Sequence, residues 1–481
     1  MLLLSTAACG VVDQFSDRAV DFNIEAEQAQ LQAILLNIIR ASYNRPMQFT
    51  TVSTVTGTAS VSGGTSLSIP FGHHRPPLQS SPDVLGITDS ISGGPTFTVP
   101  VLDTQEFYQG ELKPVTGQEY RFFLDEGITP SVLFYTLIDR IELTVAGSKP
   151  PTIFTFHDYV GDDLDLDVFQ AVGDYLLSMG LTIERVEHTQ QIGGAMNAAQ
   201  LGGLRDLAAA TTAGLRVVPV QAATPAGKAQ HTPRTPTQYR AEKVEPIYRP
   251  CFDAMVPKPD VTMDADLLCG SSATTDNPAQ TEGNLARTGG FVAPRLAAWL
   301  AEIRNAFIRR LRENHDDAAA DELQRVPQLP GNQKLQLKLY TRSTESILYH
   351  FGSVVARSRA QGRVTSQSFT VGIGPRVIQV KIGEPYLPYP LTSCQAPMRS
   401  AGYRCENLFV LDAASGTSDG PKPKAAISVS YEGTEYGVPA DQERAGRTMR
   451  LLDLVKQLLA LHTSAKELPA SNVLNVIGSA P

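Results

Sequence analysis

Amphipathic helices are the most regular feature of the apolar pattern along this chain. In residues 19–42, Ile24, Leu31 and Ile34 recur at the intervals that place them on one stripe of a helix. The polar face carries acids and glutamines rather than the basic residues of a membrane-surface helix, so we interpret this segment as a core helix. The same periodicity predicts helices over residues 167–180, 294–313, 343–360 and 448–464.

Alternating apolar and polar residues mark a second class of segments and predict β-strands. Val55, Ala59 and Val61 alternate with threonine and serine, and residues 130–145 read as a helix running into a strand. Residues 369–383 have the character of a hairpin around Gly374-Pro375. Further strands are predicted over residues 96–102, 152–159, 181–187, 334–340, 407–413 and 426–438.

A long loop-rich connection separates two predicted domains. Residues 190–245 are rich in Gln, Ala, Gly, Thr and Pro and contain few large apolar residues, which predicts a linker or a mobile insertion. We expect an N-terminal α/β-type domain over residues 9–189, a flexible linker or insertion with the first cysteine pair over residues 190–290, and a C-terminal α+β domain over residues 291–481. The predicted fold class is therefore α+β, with mixed helices and sheets in two domains.

Composition and charge narrow the function classes without choosing one. Of 481 residues, 42% are hydrophobic and 19% are charged, which is typical of a globular protein and excludes a wholly disordered chain. The formal net charge of −8 argues against a nucleic-acid partner. The sequence contains no apolar run that approaches the ~20 residues of a membrane-spanning helix.

The first ten residues, MLLLSTAACG, resemble the end of a bacterial lipoprotein signal peptide. The small residues before Cys9 correspond to the lipobox, where cleavage precedes the cysteine and its thiol receives a diacylglycerol. The resemblance implies that residues 1–8 are a signal-peptide remnant and that Cys9 is the lipidated first residue of the mature chain. Thr6 lies three positions before the cysteine, where lipoprotein signal peptides usually have leucine. The apolar stretch is also shorter than the ~7–15 residues of the apolar region (h-region) of a signal peptide. Gly10 follows the cysteine at the position where many lipoproteins retained at the inner membrane carry aspartate. In a Gram-negative cell, the absence of aspartate at this position implies the outer membrane.

Two further runs extend this resemblance. LLNIIRA at residues 35–41 precedes a Thr/Ser/Val-rich strand, and SILYHFG follows at residues 346–352. Together they are similar to a group of proteobacterial envelope lipoproteins. The similarity implies contact with the membrane through lipid on Cys9 and envelope protein partners, but no particular activity. The alternative is a cytosolic protein whose apolar first residues pack against its core.

The cysteines fit an oxidising compartment. With Cys9 assigned to lipid, four remain in two close pairs, Cys251 with Cys269 and Cys394 with Cys405. Four cysteines allow three connectivities. Two local bridges are the simplest, and each would close a loop of about 12–19 residues worth roughly 3 kcal/mol. Such bridges form in the periplasm or outside the cell. Four unrelated buried thiols are the alternative, and because neither pair has Cys-x-x-Cys spacing, neither zinc nor thioredoxin-like chemistry is expected.

One short motif suggests catalysis. GTSDG at residues 416–420 matches the G-x-S-x-G nucleophile elbow and would make Ser418 a nucleophile. The elbow needs a strand before it and a helix after it. Residues 407–413 supply the strand, but the following PKPKA places prolines where the helix should begin. A polar turn is therefore the favoured interpretation.

No metal or cofactor is expected from the remaining motifs. Asp163, Asp165 and Asp167 begin like a calcium loop, but Val168 and Asp174 replace the required Gly and Glu. The three acids are better explained as charges at the start of a helix. His73 and His74 lie in a proline-flanked loop without a metal-binding spacing.

Three functions remain open from the sequence. The first is a lipid-anchored envelope protein with a structural, assembly or binding role and no catalysis. The second is an envelope hydrolase that uses Ser418. The third is a periplasmic protein that binds a small ligand in a cleft between its two domains.

Overall fold

The computed structural model describes the residues 7–50, 54–61, 91–98, 104–159, 163–196, 215–220, 238–256, 258, 261–271, 284–286, 289–360, 368–372, 376–377, 405–406, 408–415, 424–445, 447–462 and 475–476.

Helices and antiparallel strands alternate along these residues. The helices are α1 Ala7–Ser42, α2 Gln105–Leu112, α3 Gly117–Asp125, α4 Pro130–Leu137, α5 Asp163–Ser178, α6 Pro294–Glu313, α7 Asp317–Arg325, α8 Thr344–Ala360, α9 Gln442–Ala445 and α10 Thr448–His462. The first strands are β1 Thr54–Val61, β2 Ile91–Thr98, β3 Ile138–Val145, β4 Ile153–His157, β5 Leu181–Met196, β6 Leu215–Val220, β7 Gln238–Phe252, β8 Thr262–Met263 and β9 Asn284–Ala286. The later strands are β10 Phe291–Val292, β11 Leu335–Thr341, β12 Ser368–Gly372, β13 Arg376–Val377, β14 Cys405–Glu406, β15 Val410–Ser415, β16 Ala425–Tyr431, β17 Thr434–Pro439 and β18 Asn475–Val476.

The chain forms two compact units, and each draws on separated stretches of sequence. The first unit contains Met1–Leu112, Leu348–Gly372 and Phe409–Pro481. The second contains Lys113–Ile347 and Ile373–Leu408. The expected consecutive domains over residues 9–189 and 291–481 therefore do not coincide with these units.

In the first unit, helices pack against a four-stranded antiparallel sheet of order β12-β15-β17-β16. α1 contacts both β16 and α10, and the rings of Phe351 and Phe409 lie 4.9 Å apart in the core. The buried Thr448 at the start of α10 accepts a hydrogen bond from the Val410 amide at 2.8 Å. A separate antiparallel sheet has the order β1-β2-β18. The core side chains include Leu31, Ile34, Leu35, Ile38, Val354, Val355, Leu451, Leu452, Val455 and Leu458.

The second unit is built on a sheet of order β4-β3-β11-β10-β8, with β9 also paired to β11. α4 runs directly into β3, and the Phe134 and Phe169 rings stack 6.0 Å apart between α4 and α5. A capping box of Thr116 and Glu119 fixes the start of α3. A three-stranded antiparallel sheet of order β5-β7-β6 completes the unit, together with the short pair β13-β14.

The expected α+β class is confirmed, while two local expectations need correction. Residues 190–196, 215–220 and 238–245 belong to β5, β6 and β7, so the predicted linker does not hold for them. Strand pairing uses backbone groups, and polar side chains do not prevent it. The hairpin expected over residues 369–383 is also wrong where it is described, because β12 pairs with β15 and β13 pairs with β14.

Candidate functional site

Cys9 lies in the first turn of α1. The helix begins at Ala7, and among its described side chains the first buried one is Leu31. Between them Val20 is 56% exposed and Ile24 is 49% exposed. The 22 residues from Cys9 to Leu31 correspond to about 33 Å at the helical rise per residue. The side chain of Cys9 is outside the described ones, so only its place on the helix is established.

A disulfide joins Cys251, near the end of β7, to Cys269 in the second unit. The Cα atoms are 5.0 Å apart and the sulfur atoms 2.04 Å apart. Cys251 is buried and Cys269 is half-buried. This is the local pairing that the sequence analysis favoured among three connectivities, although the residues between the two cysteines add a short strand and a 3-10 turn to the predicted loop.

Glu184 and Arg249 reinforce this bridge with a charged pair. They are register partners on β5 and β7, and Arg249 Nε lies 2.9 Å from Glu184 Oε1. The Arg249 side chain is 2% exposed and that of Glu184 is 13% exposed. The two charges are thus largely removed from water, and a charge buried in this way depends most strongly on an opposite partner.

The same two side chains also hold the backbone beyond Cys269. The Gly270 amide donates to Glu184 Oε2 at 2.6 Å, and Arg249 Nη2 donates to the Ser271 carbonyl at 2.8 Å. The Cys269 amide donates to the Phe252 carbonyl at 3.1 Å. We call Glu184, Arg249, Cys251, Cys269 and Gly270 the Cys269 clasp, because together they fix this segment along β7.

The clasp does not form a metal centre in its oxidised state. In the described part of the chain, ligand atoms of Glu184, Cys251 and Cys269 lie within 4.8 Å of one another. However, metals bind thiolate sulfur, and here both sulfurs are joined in a disulfide. Both Glu184 oxygens already accept hydrogen bonds, so the group is structural.

The described residues include only the backbone of Cys405 among the other predicted site residues. Cys405 lies in β14, paired with Val377, and its side chain is outside the described ones. Cys394 and Ser418 lie outside the described residues, so the second bridge and the hydrolase both stay predictions.

The structure describes the aspartate motif but not the histidine motif. His73 and His74 also fall outside the described residues. Asp163, Asp165 and Asp167 lie in the first turns of α5, in helix rather than in a calcium-binding loop, as the charge interpretation expected.

A buried ion pair that the sequence analysis missed lies deep in the second unit. Arg342 Nη2 is 2.9 Å from Asp158 Oδ2, with side-chain exposures of 2% and 0%. Arg342 Nη1 also donates to the carbonyls of Tyr135, Thr136 and Ile138 at 3.3, 3.2 and 2.8 Å. These carbonyls close the C-terminal end of α4, where a cation is favourable. Arg342 therefore acts as a buried cap at the end of α4.

Asp139 lies beside this pair. Burial raises the pKa of Asp139, and the positive charges of Arg342 and Arg140 oppose that shift. Its Oδ1 atom accepts no hydrogen bond from the described residues. A carboxylate with this environment is poised to take up a proton more readily than usual. No sequence signal marks the cluster, because Asp139, Asp158 and Arg342 are ordinary residues at the ends of separate strands.

No helix among the described residues has both the length and the apolar content needed to span a membrane. No protein-family model, no curated protein and no solved structure matches this chain.

Proposed function

We propose that this protein is anchored to the outer membrane by lipid on Cys9 and has a structural, assembly or binding role in the envelope. The observation that carries the proposal is the position of Cys9 on α1. A helix of 36 residues extends from Ala7 to Ser42, and among its described side chains Leu31 is the first that is buried. Cys9, which would receive the lipid, precedes Leu31 by about 33 Å of helix.

This geometry suits an anchor because it leaves space between the bilayer and the body. Acyl chains on Cys9 would insert into the membrane, and each buried CH₂ contributes about 0.8 kcal/mol, so two or three chains hold the protein firmly. Gly10, in place of aspartate, supports the outer rather than the inner membrane. In the proposed arrangement the membrane contact is made by lipid alone.

The disulfide supports the same compartment. Cys251 and Cys269 are bridged, and structural disulfides persist outside the cytosol. An envelope location provides this oxidising environment for a protein translocated with its lipoprotein signal.

Membrane fractionation of a Cys9→Ser variant tests the proposal. We expect the wild type and a Gly10→Ala control to sediment with outer membranes and to incorporate radiolabelled palmitate. The Cys9→Ser variant should lose the label and leave the outer-membrane fraction. A Cys9→Ser variant that stays in that fraction to the same extent would contradict anchoring through Cys9.

A further inference from the structure

Strand β4 forms one edge of the main sheet of the second unit. In the order β4-β3-β11-β10-β8 it pairs with β3 on one side, and no described strand pairs with its other side. Ile153 is 51% exposed, and Thr155 and His157 are exposed as well. The residues along this edge of the sheet are therefore open to solvent.

The hydrogen bonds between β3 and β4 show which backbone groups of β4 are left unused. The Val145 amide donates to the Thr152 carbonyl at 2.9 Å, and in an antiparallel pair the hydrogen-bonded positions alternate along each strand. The even-numbered residues of β4 therefore bond to β3, and the odd-numbered residues direct their amides and carbonyls outward. Within the part of the chain that the structure describes, these outward groups bond to nothing. They belong to Ile153, Thr155 and His157.

The sequence of β4 lacks the features that keep an edge strand from pairing. Natural proteins protect such edges with charged side chains, prolines or bulges. Ile153–His157 reads IFTFH, which contains no Lys, Arg, Asp, Glu or Pro, and its register with β3 is unbroken. Apart from His157, its residues are β-branched or aromatic and favour strands. This edge is thus suited to the addition of another strand.

The side chains of β4 complement a second, antiparallel copy of the same strand. About a two-fold axis at Thr155, this residue faces its own copy, and Phe154 of each chain faces Phe156 of the other. Ile153 faces His157 in the same arrangement. Threonine pairs and aromatic pairs on neighbouring strands are stabilising, whereas like charges directly opposite each other are destabilising. This register provides the favourable pairs and brings no like charges together.

We propose that two copies of this chain pair antiparallel through β4, about a two-fold axis at Thr155, and so join their main sheets into one. Because the outward positions are centred on Thr155, this register gives every outward amide and carbonyl of β4 a partner. Both chains use the same edge, so the contact closes at two copies. The match about Thr155 favours a second copy over an extended segment of another protein, which would need no such symmetry. The pairing uses the second unit alone and does not depend on the anchor at Cys9.

Cysteine cross-linking of the full-length chain tests this register, in a Cys9→Ser background that removes both the lipid and its thiol. Opposite Cα atoms of a hydrogen-bonded antiparallel pair are about 5.5 Å apart, which a disulfide can span. After mild oxidation, Thr155→Cys should therefore migrate as a disulfide-linked dimer. Gln336→Cys is the matched control, because Gln336 is exposed on β11, two strands in from the edge. Its two copies would lie five strand spacings apart, about 24 Å, and should remain monomeric.

A charge exchange at the axis distinguishes self-pairing from the binding of another protein. Light scattering in the same background should give the mass of a dimer for the parent chain and for Thr155→Val. Thr155→Lys and Thr155→Glu should each be monomers, because each places like charges opposite each other, and an equimolar mixture of the two should recover the dimer. The melting temperatures should stay close to that of the parent chain, since Thr155 is exposed.

Three results would overturn the proposal. The first is a monomeric parent chain without cross-linking at Thr155→Cys, which would leave the edge to a strand of another protein. The second is equal cross-linking at Thr155→Cys and Gln336→Cys. The third is a dimer that persists in both charged variants, or charged variants that do not recombine on mixing.

Discussion

Arg249 and Glu184 face each other across β5 and β7, and each also holds the backbone that follows Cys269. Arg249 Nε approaches Glu184 Oε1 at 2.9 Å, while the two side chains bind the Ser271 carbonyl and the Gly270 amide. The pair therefore holds, without a covalent bond, the same segment that the Cys251–Cys269 disulfide ties to β7. Removing the ion pair should therefore lower the stability of the second unit.

Removing one partner of this pair should destabilise the protein strongly. Arg249→Met leaves the Glu184 carboxylate largely buried without its cation, and a broken buried pair costs about 3–5 kcal/mol. The double variant Arg249→Met/Glu184→Gln should lose less than the sum of the single variants, since the two residues are coupled. Urea unfolding measures these differences.

The matched control is an exposed pair on the same strand. Lys243 and Glu245 form an ion pair with side-chain exposures of 43% and 47%, so Lys243→Ala should cost less than about 1 kcal/mol. If Arg249→Met were no more costly than Lys243→Ala, the clasp would not contribute as described.

The disulfide should supply a comparable share of stability. Closing the loop between Cys251 and Cys269, with a sequence separation of 18, removes entropy from the unfolded chain worth about 3 kcal/mol. A Cys251→Ala/Cys269→Ala variant should unfold at lower urea, and reductant should lower the midpoint of the wild type more than that of the variant, which keeps only the predicted Cys394–Cys405 bridge. An equal response of both proteins to reductant would place the sensitive bond elsewhere.

Close packing between α8 and the end of α1 makes Gly352 intolerant of a side chain. A Cβ atom at this position would lie 2.6 Å from Ala41 Cβ and 2.9 Å from the Ser42 amide nitrogen. Gly352→Ala should therefore destabilise the first unit by about 1–3 kcal/mol, despite the higher helix propensity of alanine. Ser353→Ala, at the exposed neighbour in the same helix, should have little effect in the same thermal melt.

Stability should fall at alkaline pH because of Tyr436. Burial, helped by the hydrogen bond with the Tyr43 hydroxyl, raises the pKa of Tyr436 to about 12 from 10.0. Between pH 10 and 12 the Tyr436 hydroxyl has lost its proton in the unfolded chain but keeps it in the folded chain. Folding is therefore disfavoured as the pH rises through this window. Tyr436→Phe should flatten the decline of the urea midpoint between pH 10 and 12, and an unchanged slope would show that this hydroxyl is not its source.

Periodic segments of this fold could be predicted from the sequence, whereas its long-range connections could not. α6 begins at Pro294 as predicted, because an apolar stripe and a helix-starting proline mark it locally. The sequence pattern does not predict the strand at residues 190–196, because two glutamines and two glycines interrupt its apolar residues and the strand depends on pairing with β7, which the local pattern does not show.

In the candidate site too, local features could be predicted and long-range contacts could not. Cys251 and Cys269 are close in sequence, so their pairing could be predicted. The contact of Arg342 with Asp158 joins residues that are 184 positions apart, and nothing in either local sequence distinguishes them from exposed charges. Likewise, the division of the chain into discontinuous units depends on contacts between distant segments.

The most direct test of the central claim is the intact mass of the protein extracted from outer membranes. We predict a chain that begins at Cys9 and carries the added mass of a diacylglycerol and an amide-linked acyl chain. Reduction should add two hydrogen atoms for the Cys251–Cys269 bridge and two more for the predicted Cys394–Cys405 bridge. A mass equal to the unmodified chain from Met1 in the membrane extract would contradict the account.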